Sequence, residues 1–377
     1  MKINIKFIGD VGHLHELKTT SDLEVVNNLR SFFQSKTNST DVFCWNLEGV
    51  IGGIAQDKID KIGPYSHCDI RLAEAMSTLG NKNIANLANN HCYDFGYRGL
   101  EQTINYIGDF GTLPIGAITK KTTNAHQILD IKGKKILFIS FAEHEFNNDK
   151  TYGANLINYR SAFSTIKYFR DEVDFIIAQI HGGVENVVLP SPSFREFARF
   201  LIDIGSDLVV GHHSHMPGTY EKYKNRDIFY SLGNGLFLPH KKQGNSWNLG
   251  TILDVNIISS DTDAIRCRLT YYKFNATSQK VRELSFRHAE NLKDNIEKYN
   301  KILSCEPAYQ KQFAELTSLL KSKYQFFLTL PFMFRGMGRL HSLLQTNISF
   351  GKIKLLKQNL VTCQSLRDVL IVTGKSK

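Results

Sequence analysis

Carboxylate, amide and imidazole side chains occur in short groups, each just after an apolar segment of strand length. The groups are Gly9-Asp10, Asn46-Leu47-Glu48, Asn89-Asn90-His91, His181-Gly182-Gly183 and Gly211-His212-His213-Ser214-His215. Carboxylate oxygen and imidazole nitrogen together suit Mn, Fe or Zn, so the groups predict a site for a divalent transition metal.

The two histidines around Ser214 are informative only together with the other polar groups. If the segment stays extended, His213 and His215 face the same side. Taken alone, the pattern favours an ordinary pair of surface or core-edge histidines. The presence of five such groups reverses that preference.

The elements that must position these groups are strands separated by helices. The predicted strands lie at 3–8, 42–45, 84–87, 136–141, 175–180, 208–210 and 228–232. Helical spacing of apolar residues appears at 70–79 and 194–204. Alternating segments at 251–257 and 265–272 predict a closing hairpin. This pattern indicates an α/β fold with its site at the carboxyl ends of the strands.

Length, composition and charge predict two regions. The chain has 377 residues, 42% hydrophobic and 22% charged, which excludes a disordered or low-complexity protein. Residues 276–377 hold 17 Lys/Arg and 7 Asp/Glu, whereas residues 1–275 hold 29 of each, so the net charge of +10 arises after residue 275. We therefore predict an α/β domain at 1–280 and a smaller, basic, mainly helical region at 281–377.

Targeting and disulfide signals are weak. The most apolar stretch, 326–334, is about half of the roughly 20 residues that a membrane-spanning helix needs. Lys2, Asn4 and Lys6 interrupt the apolar run that a secretory signal requires. Six dispersed cysteines argue against a disulfide framework. These features predict a cytoplasmic protein that begins at Met1 and keeps its thiols reduced.

The segment 316–366 combines seven basic residues, no acidic ones and apolar clusters at 326–330 and 331–334. Such a segment could contact an anionic membrane, face nucleic acid or form a helical packing surface with a solvated basic side. Nucleic acid is the least favoured partner because the chain has no recognisable nucleic-acid module. Pro331, Gly336 and Gly338 predict at least two helices rather than one.

Longer motifs resemble those of the CapA family of bacterial capsule synthesis proteins, which is similar in fold to the calcineurin-like metallophosphatases. The motifs, in order along residues 1–275, are Phe7-Ile8-Gly9-Asp10, Asn46-Leu47-Glu48, Asn89 to Gly96, His181 to Glu185, Pro190-Ser191-Pro192, Gly211 to His215, Glu221 and Tyr230 to Asn234. The resemblance therefore implies a layered, metallophosphatase-like α/β domain followed by the smaller helical region.

The resemblance also implies roles for individual residues. The implied metal ligands are Asp10 and His215 for a first ion, Asn90, His181 and His213 for a second, and Glu48 as the bridge. His91 would act as general acid at the leaving group. Two cations about 3.5 to 4 Å apart can hold both a hydroxide nucleophile and the phosphoryl oxygens.

Two departures from the metallophosphatase pattern leave the number of ions, one or two, open. Gly12 stands where the Asp-x-His motif has its histidine, and the nearest histidines are His13 and His15. His13 could supply the missing ligand, but a surface loop is the favoured interpretation for it. Glu48 replaces the usual bridging Asp. Three further residues, Asp94, Glu185 and Asn234, are candidates to orient the ligands, and Glu185 is equally compatible with a helix N-terminal charge.

The function implied is a metal-dependent phosphoester hydrolase of capsule or surface polysaccharide biosynthesis, acting on a phosphorylated or lipid-linked glycan. The alternative is a non-hydrolytic accessory protein of capsular polymer synthesis, including poly-γ-glutamate. A nucleic-acid phosphodiesterase is a third hypothesis. The retained ligands and His91 favour the hydrolase, although a fold alone does not imply a function.

Overall fold

The computed structural model describes residues 2–13, 20–121, 123–149, 151–238, 245–258, 264–275, 278–329 and 350–372. Its strands are β1 (Lys2–His13), β2 (Val42–Leu47), β3 (Lys82–Asn86), β4 (Thr112–Ile115), β5 (Ala117–Ile118), β6 (Thr123–Asn124), β7 (His126–Ile131), β8 (Lys134–Ala142), β9 (Gly153–Ala154), β10 (Phe175–His181), β11 (Leu208–His212), β12 (Tyr220–Tyr223), β13 (Arg226–Phe229), β14 (Asn234–Leu238), β15 (Leu249–Ile258), β16 (Ala264–Asn275) and β17 (Lys280–Glu283).

The helices alternate with the strands in the first part of the chain and follow one another in the last part. They are α1 (Thr20–Thr37), α2 (Ile70–Met76), α3 (Gly96–Asp109), α4 (Tyr159–Arg170), α5 (Pro192–Asp203), α6 (Phe286–Leu303), α7 (Glu306–Leu316), α8 (Ser318–Thr329), α9 (Phe350–Thr362) and α10 (Gln364–Ile371), with short 3₁₀ helices at Ala55–Asp57 and Asn245–Asn248.

Two large sheets form the centre of the molecule. The first has the order β17-β16-β15-β1-β2-β3-β4 with β14 beside β1, and the second has the order β12-β13-β11-β10-β8-β7. A small third sheet pairs β6, β5 and β9. The α/β class and the helical C-terminal region predicted from the sequence are confirmed.

The core lies in layers. One buried cluster joins apolar side chains of both large sheets, including Ile5 and Val42 from the first and Phe138 and Ile177 from the second, so these sheets pack face to face. A second cluster lies between the first sheet and its helices, and a third lies between the second sheet and its helices. The short apolar segments of the sequence are buried on both faces for this reason, and they show little alternation.

The central strands deliver their carboxyl ends to one edge. In the first sheet β1, β2 and β3 are parallel, and in the second β8, β10, β11 and β13 are parallel. Because the polar groups follow β1, β2, β3, β10 and β11, packing of the two sheets brings all of them together. The hairpin predicted at 251–272 is also confirmed, as antiparallel β15 and β16.

The C-terminal helices pack on the second sheet. Leu303, Tyr309 and Phe313 belong to the same buried cluster as α5 side chains. Arg195 of α5 donates to the Leu303 carbonyl at 2.7 Å, and its guanidinium stacks on Tyr309. The boundary predicted near residue 280 falls inside β17, and the division into two folding units stays a prediction.

The basic segment is described in part. Helix α8 ends at Thr329 and α9 begins at Phe350, whereas Pro331, Gly336, Gly338 and the apolar cluster at 331–334 lie outside the described residues. Within the described part of the chain, we find no helix whose length and apolar content would let it cross a bilayer.

Candidate metal centre

Two triads of potential metal ligands share Glu48 at the edge where the sheets meet. Asp10, Glu48 and His215 form one group, and Glu48, His181 and His213 form the other, with ligand atoms within 4.8 Å of one another in each group. Glu48 Oε1 lies 3.5 Å from His181 Nε2 and 3.7 Å from His215 Nε2. All five side chains are buried. The structure thus brings these predicted ligands together, with Glu48 between the two histidines.

Backbone irregularities aim the ligands at this point. The sequence predicted that the first strand ends before Asp10, but β1 continues to His13. Its register against β14 shifts between Asp10 and Val11. Such an irregularity redirects a side chain within a strand. The segment after β11 is not extended, because His213 and His215 have φ values of 97° and 55°. Both histidines therefore enter the site through left-handed backbone rather than through strand alternation.

Amide side chains hold the ligands in place. Asn90 Oδ1 lies 3.0 Å from His181 Nε2, and Asn234 Oδ1 lies 2.9 Å from His215 Nδ1. Asn46 donates to Asp10 Oδ1 at 2.8 Å and lies 3.2 Å from His181 Nδ1. Such partners fix the orientation of ligating rings and carboxylates.

Burial sets the protonation of the site. It raises the pKa of Asp10 to about 7, although hydrogen bonds from the Asn46 side chain and the His213 backbone lower that pKa. Burial and the nearby Asp10 carboxylate raise the pKa of Glu48. Burial, together with neighbouring histidines, lowers the pKa of His181 and lowers that of His215 to about 3. The histidines are therefore neutral, as metal ligation requires.

The donor set fits a divalent cation. Neither carboxylate oxygen of Glu48 has a hydrogen-bond partner among the described residues, although the side chain is fully buried. A buried carboxylate without donors is costly. A cation between the carboxylates and the neutral imidazoles would remove that cost, and this mixed oxygen and nitrogen set suits Mn, Fe or Zn.

Gly12 occupies the place of the missing histidine for a steric reason. A Cβ atom built there would lie 2.4 Å from the Glu48 carbonyl oxygen and 3.1 Å from Phe237 Cε2. His13 is buried at the end of β1 with its ring stacked near His67, so its assignment to a surface loop is wrong, and it belongs to neither triad. His15 lies outside the described residues.

His91 belongs to a buried charged group beside the triads. Its Nδ1 lies 2.7 Å from Asp94 Oδ2 and 3.2 Å from Lys61 Nζ, and Lys61 also pairs with Asp94. Burial alone would raise the pKa of Asp94, but the His91 and Lys61 charges hold it below its ordinary value. Asp94 is thus an anion that fixes the His91 ring.

A cavity of about 510 Å³ opens beside the second triad. His213, Glu145 and Glu185 line it on the α/β side. Glu185 lies on a turn between β10 and α5, so its interpretation as a helix N-terminal charge is wrong. Glu145 Oε2 accepts from Asn90 Nδ2 at 3.3 Å and lies 3.9 Å from His213 Nε2.

Sequence reasoning assigned no role to several residues of this centre. They are Asn46, Lys61, Glu145 and His212, whose Nδ1 lies 3.7 Å from Asp10 Oδ1. The position of Asn46 at the end of β2, two residues before Glu48, was a usable signal. Lys61 and Glu145 lie in loops far along the chain from their partners, and no local pattern marks them.

Comparison with known proteins confirms the resemblance seen in the motifs. Residues 4–238 match the model of a family described as bacterial capsule synthesis protein PGA_cap. Capsule biosynthesis protein CapA of Bacillus anthracis is 29% identical over 165 residues, 41% of this chain and 40% of that protein. PGA biosynthesis protein CapA of Bacillus subtilis (strain 168) is 24% identical over 243 residues, 62% of this chain and 63% of that protein.

A probable polyglutamine synthesis accessory protein of Mycobacterium tuberculosis is 27% identical over 216 residues, 53% of this chain and 56% of that protein. The matches therefore span between 40% and 63% of the length of these curated relatives. Among solved structures, a putative 5'-nucleotidase from Staphylococcus aureus aligns with a TM-score of 0.45 and 12% identity, over 71% of this chain and 54% of that one. A 5'-nucleotidase from Candida albicans aligns with a TM-score of 0.41 and 12% identity, over 73% and 53%.

The steric account of Gly12 predicts the effect of adding one methyl group. Gly12→Ala should lower the free energy of unfolding by about 1 to 3 kcal/mol, because the Cβ would press on the Glu48 backbone. Gly108→Ala in α3 is the matched control, since no atom lies within 4 Å of its Cβ. Urea denaturation measures both variants. Equal stability of the Gly12 variant and the unsubstituted protein would contradict the account.

The two triads predict a graded loss of metal. Protein purified without chelator, or reconstituted with Mn²⁺ or Zn²⁺, should hold about one to two ions per chain. His181→Ala should lower this content, and Glu48→Ala should lower it further because Glu48 belongs to both triads. Elemental analysis by mass spectrometry gives the stoichiometry, with His288→Ala, an exposed α6 residue, as control. Content near zero after reconstitution would rule out the centre.

Proposed function

Because the chain belongs to the PGA_cap family of bacterial capsule synthesis proteins, we propose that it is a metal-dependent phosphoester hydrolase acting in capsule or surface polysaccharide synthesis. The single observation that carries this proposal is the pair of buried triads sharing the unpartnered carboxylate of Glu48. The proposed substrate is a phosphorylated or lipid-linked glycan.

Asp10 and His215 would hold one ion, His181, His213 and Asn90 the other, and Glu48 would bridge them. Divalent cations held there would polarise a phosphoryl oxygen and would supply hydroxide at neutral pH. The chain keeps the imidazoles neutral by burial, and it orients them through Asn46 and Asn234.

His91 is the proposed proton donor. Since its Nδ1 is held by Asp94 and Lys61, Nε2 is the ring atom that can give a proton to the leaving oxygen. Asp94 and Lys61 act as positioning residues that fix the ring. Neither residue is proposed to touch the substrate.

The competing proposal is a non-hydrolytic accessory role in capsular polymer synthesis. The Mycobacterium tuberculosis relative is named a probable polyglutamine synthesis accessory protein, and the Bacillus subtilis relative is named a PGA biosynthesis protein. A bound metal would then stabilise the fold or a partner interface. Binding of metal without any phosphoester hydrolysis would favour this alternative.

The general-acid role predicts that His91→Ala keeps its metal but loses rate. Removal of a general acid slows reactions by roughly 10² to 10⁴. The loss should be smaller for 4-nitrophenyl phosphate than for alkyl phosphates, because nitrophenolate needs less protonation to leave. Steady-state kinetics and metal analysis are measured on the same preparations, with His288→Ala as control.

Two results would contradict the assignment. Loss of metal from His91→Ala would make His91 a ligand rather than an acid. An equal rate loss for good and poor leaving groups would show that proton donation is not its contribution.

We also propose that the basic C-terminal segment contacts an anionic membrane. Helix α8 exposes Leu319 to 85% and Phe326 to 44% of their surface, and exposed lysines lie on α8 (Lys323) and on α9 (Lys352 and Lys354). Apolar side chains inserted among headgroups, with lysines meeting anionic lipid at about 1 kcal/mol each, would bring the centre to a lipid-linked substrate.

Vesicle sedimentation tests this contact with the full chain. Binding should occur with anionic vesicles and not with neutral ones, weaken with salt and fall for Leu319→Glu. Tyr168→Glu, which changes an α4 residue of 67% exposure, is the matched control. If the protein sediments with neither vesicle type, the membrane contact is contradicted and the segment serves only as a packing element.

A further inference from the structure

The cavity beside the second triad is built by two parts of the chain that are far apart in sequence. His213, Gly183 and Glu185 form its α/β side, and the C-terminal helices form the opposite wall. The basic region is therefore not only packed on the α/β domain, since it also bounds the space into which the proposed metal centre opens.

The helical wall is apolar over much of its area. Helix α8 contributes Leu320, Tyr324 and Phe327, and α9 and α10 contribute Leu356 and Leu366. Burial and the Glu145 and Glu185 carboxylates raise the pKa of Tyr324, which agrees with its place across the cavity from them. A hydrocarbon or ring of a ligand would find contact here.

Asn359 of α9 connects this wall to the metal centre. Its Nδ2 donates to Glu145 Oε1 at 3.3 Å, and Glu145 Oε2 accepts from Asn90, whose Oδ1 contacts His181. Asn359 is only 3% exposed, and its Oδ1 has no hydrogen-bond partner among the described residues. These hydrogen bonds therefore join α9 to the candidate ligand His181 through Glu145 and Asn90.

The charges in the cavity are separated. Glu145 and Glu185 line the side next to the proposed ions, whereas Lys323 and Lys352 line the opposite wall. The segment 316–366 contains no acidic residue that could neutralise these lysines from within it. An anionic group is therefore attracted to two separate places, the metal centre and the lysine pair.

We infer that the C-terminal wall selects an amphipathic phosphoester, with its phosphoryl group at the metal centre, an apolar body along α8 and α9, and a second anionic group at Lys323 and Lys352. The inference rests on the proposed hydrolase for the position of the phosphoryl group. Of the proposed substrates, the apolar wall favours those with a hydrocarbon portion.

Non-hydrolysable phosphonates test ligand selection by the wall, because their binding can be measured without any hydrolysis. Calorimetry of the Mn²⁺-loaded full chain compares alkylphosphonates with ω-carboxyalkylphosphonates over a series of increasing chain length. Affinity should rise by about fourfold per methylene while the chain follows the apolar wall. At the length that reaches the lysines, the carboxylate should add about tenfold.

Variants then assign the second anionic group. Lys323→Gln with Lys352→Gln should abolish the carboxylate preference and leave alkylphosphonate binding unchanged. Lys354→Gln, an exposed α9 lysine that does not line the cavity, should keep it. All three lysines are exposed, so the variants are expected to fold, which thermal melting verifies.

The experiments distinguish failure of the ligand-selection proposal from failure of the hydrolase proposal. Hydrolysis of 4-nitrophenyl phosphate without a chain-length or carboxylate preference would contradict ligand selection by the wall and leave the hydrolase proposal standing. The predicted preferences without hydrolysis of any phosphoester would support ligand selection and contradict the hydrolase proposal. An equal loss of preference in the Lys354 variant would also overturn the assignment to Lys323 and Lys352.

Discussion

The burial of one carboxylate, that of Glu48, is the constraint on which the site depends. The side chain has no exposed surface and no hydrogen-bond donor among the described residues, and it lies between His181 and His215. A buried anion in that state costs several kcal/mol unless a cation or a proton compensates it. The neighbouring imidazoles are held neutral by burial, so they offer lone pairs rather than charge.

The fold accommodates this constraint by letting two sheets share one edge. Parallel strands of each sheet end beside those of the other, so Asp10 and Glu48 from the first sheet meet His181 and His213 from the second. Close approach of β1 to the Glu48 backbone leaves no room for a side chain at residue 12. The same packing that assembles the site thus excludes the histidine that metallophosphatases place there.

The C-terminal helices extend the site rather than stand apart from it. Their apolar residues join the buried cluster of the second sheet, and Asn359 contacts Glu145, which accepts from Asn90 of the candidate metal centre. The accumulated basic charge of the region consequently has two roles in our proposals, one toward a membrane surface and one toward the cavity. The apolar contacts of the two roles differ, since Leu319 is exposed whereas Leu320 lines the cavity, but Lys323 and Lys352 belong to both proposals.

The sequence by itself determined the α/β class, most strands and the set of candidate ligands, because apolar periodicity and polar residues at strand ends are local signals. It did not reveal that β1 continues past Asp10, that His213 and His215 have left-handed backbone, or that Lys61 and Glu145 join the site. These features arise from contacts between residues distant in the chain, which no local pattern encodes. Tertiary structure alone also decided that a Cβ at residue 12 would meet the Glu48 backbone and that α8 and α9 line the cavity beside the candidate metal centre.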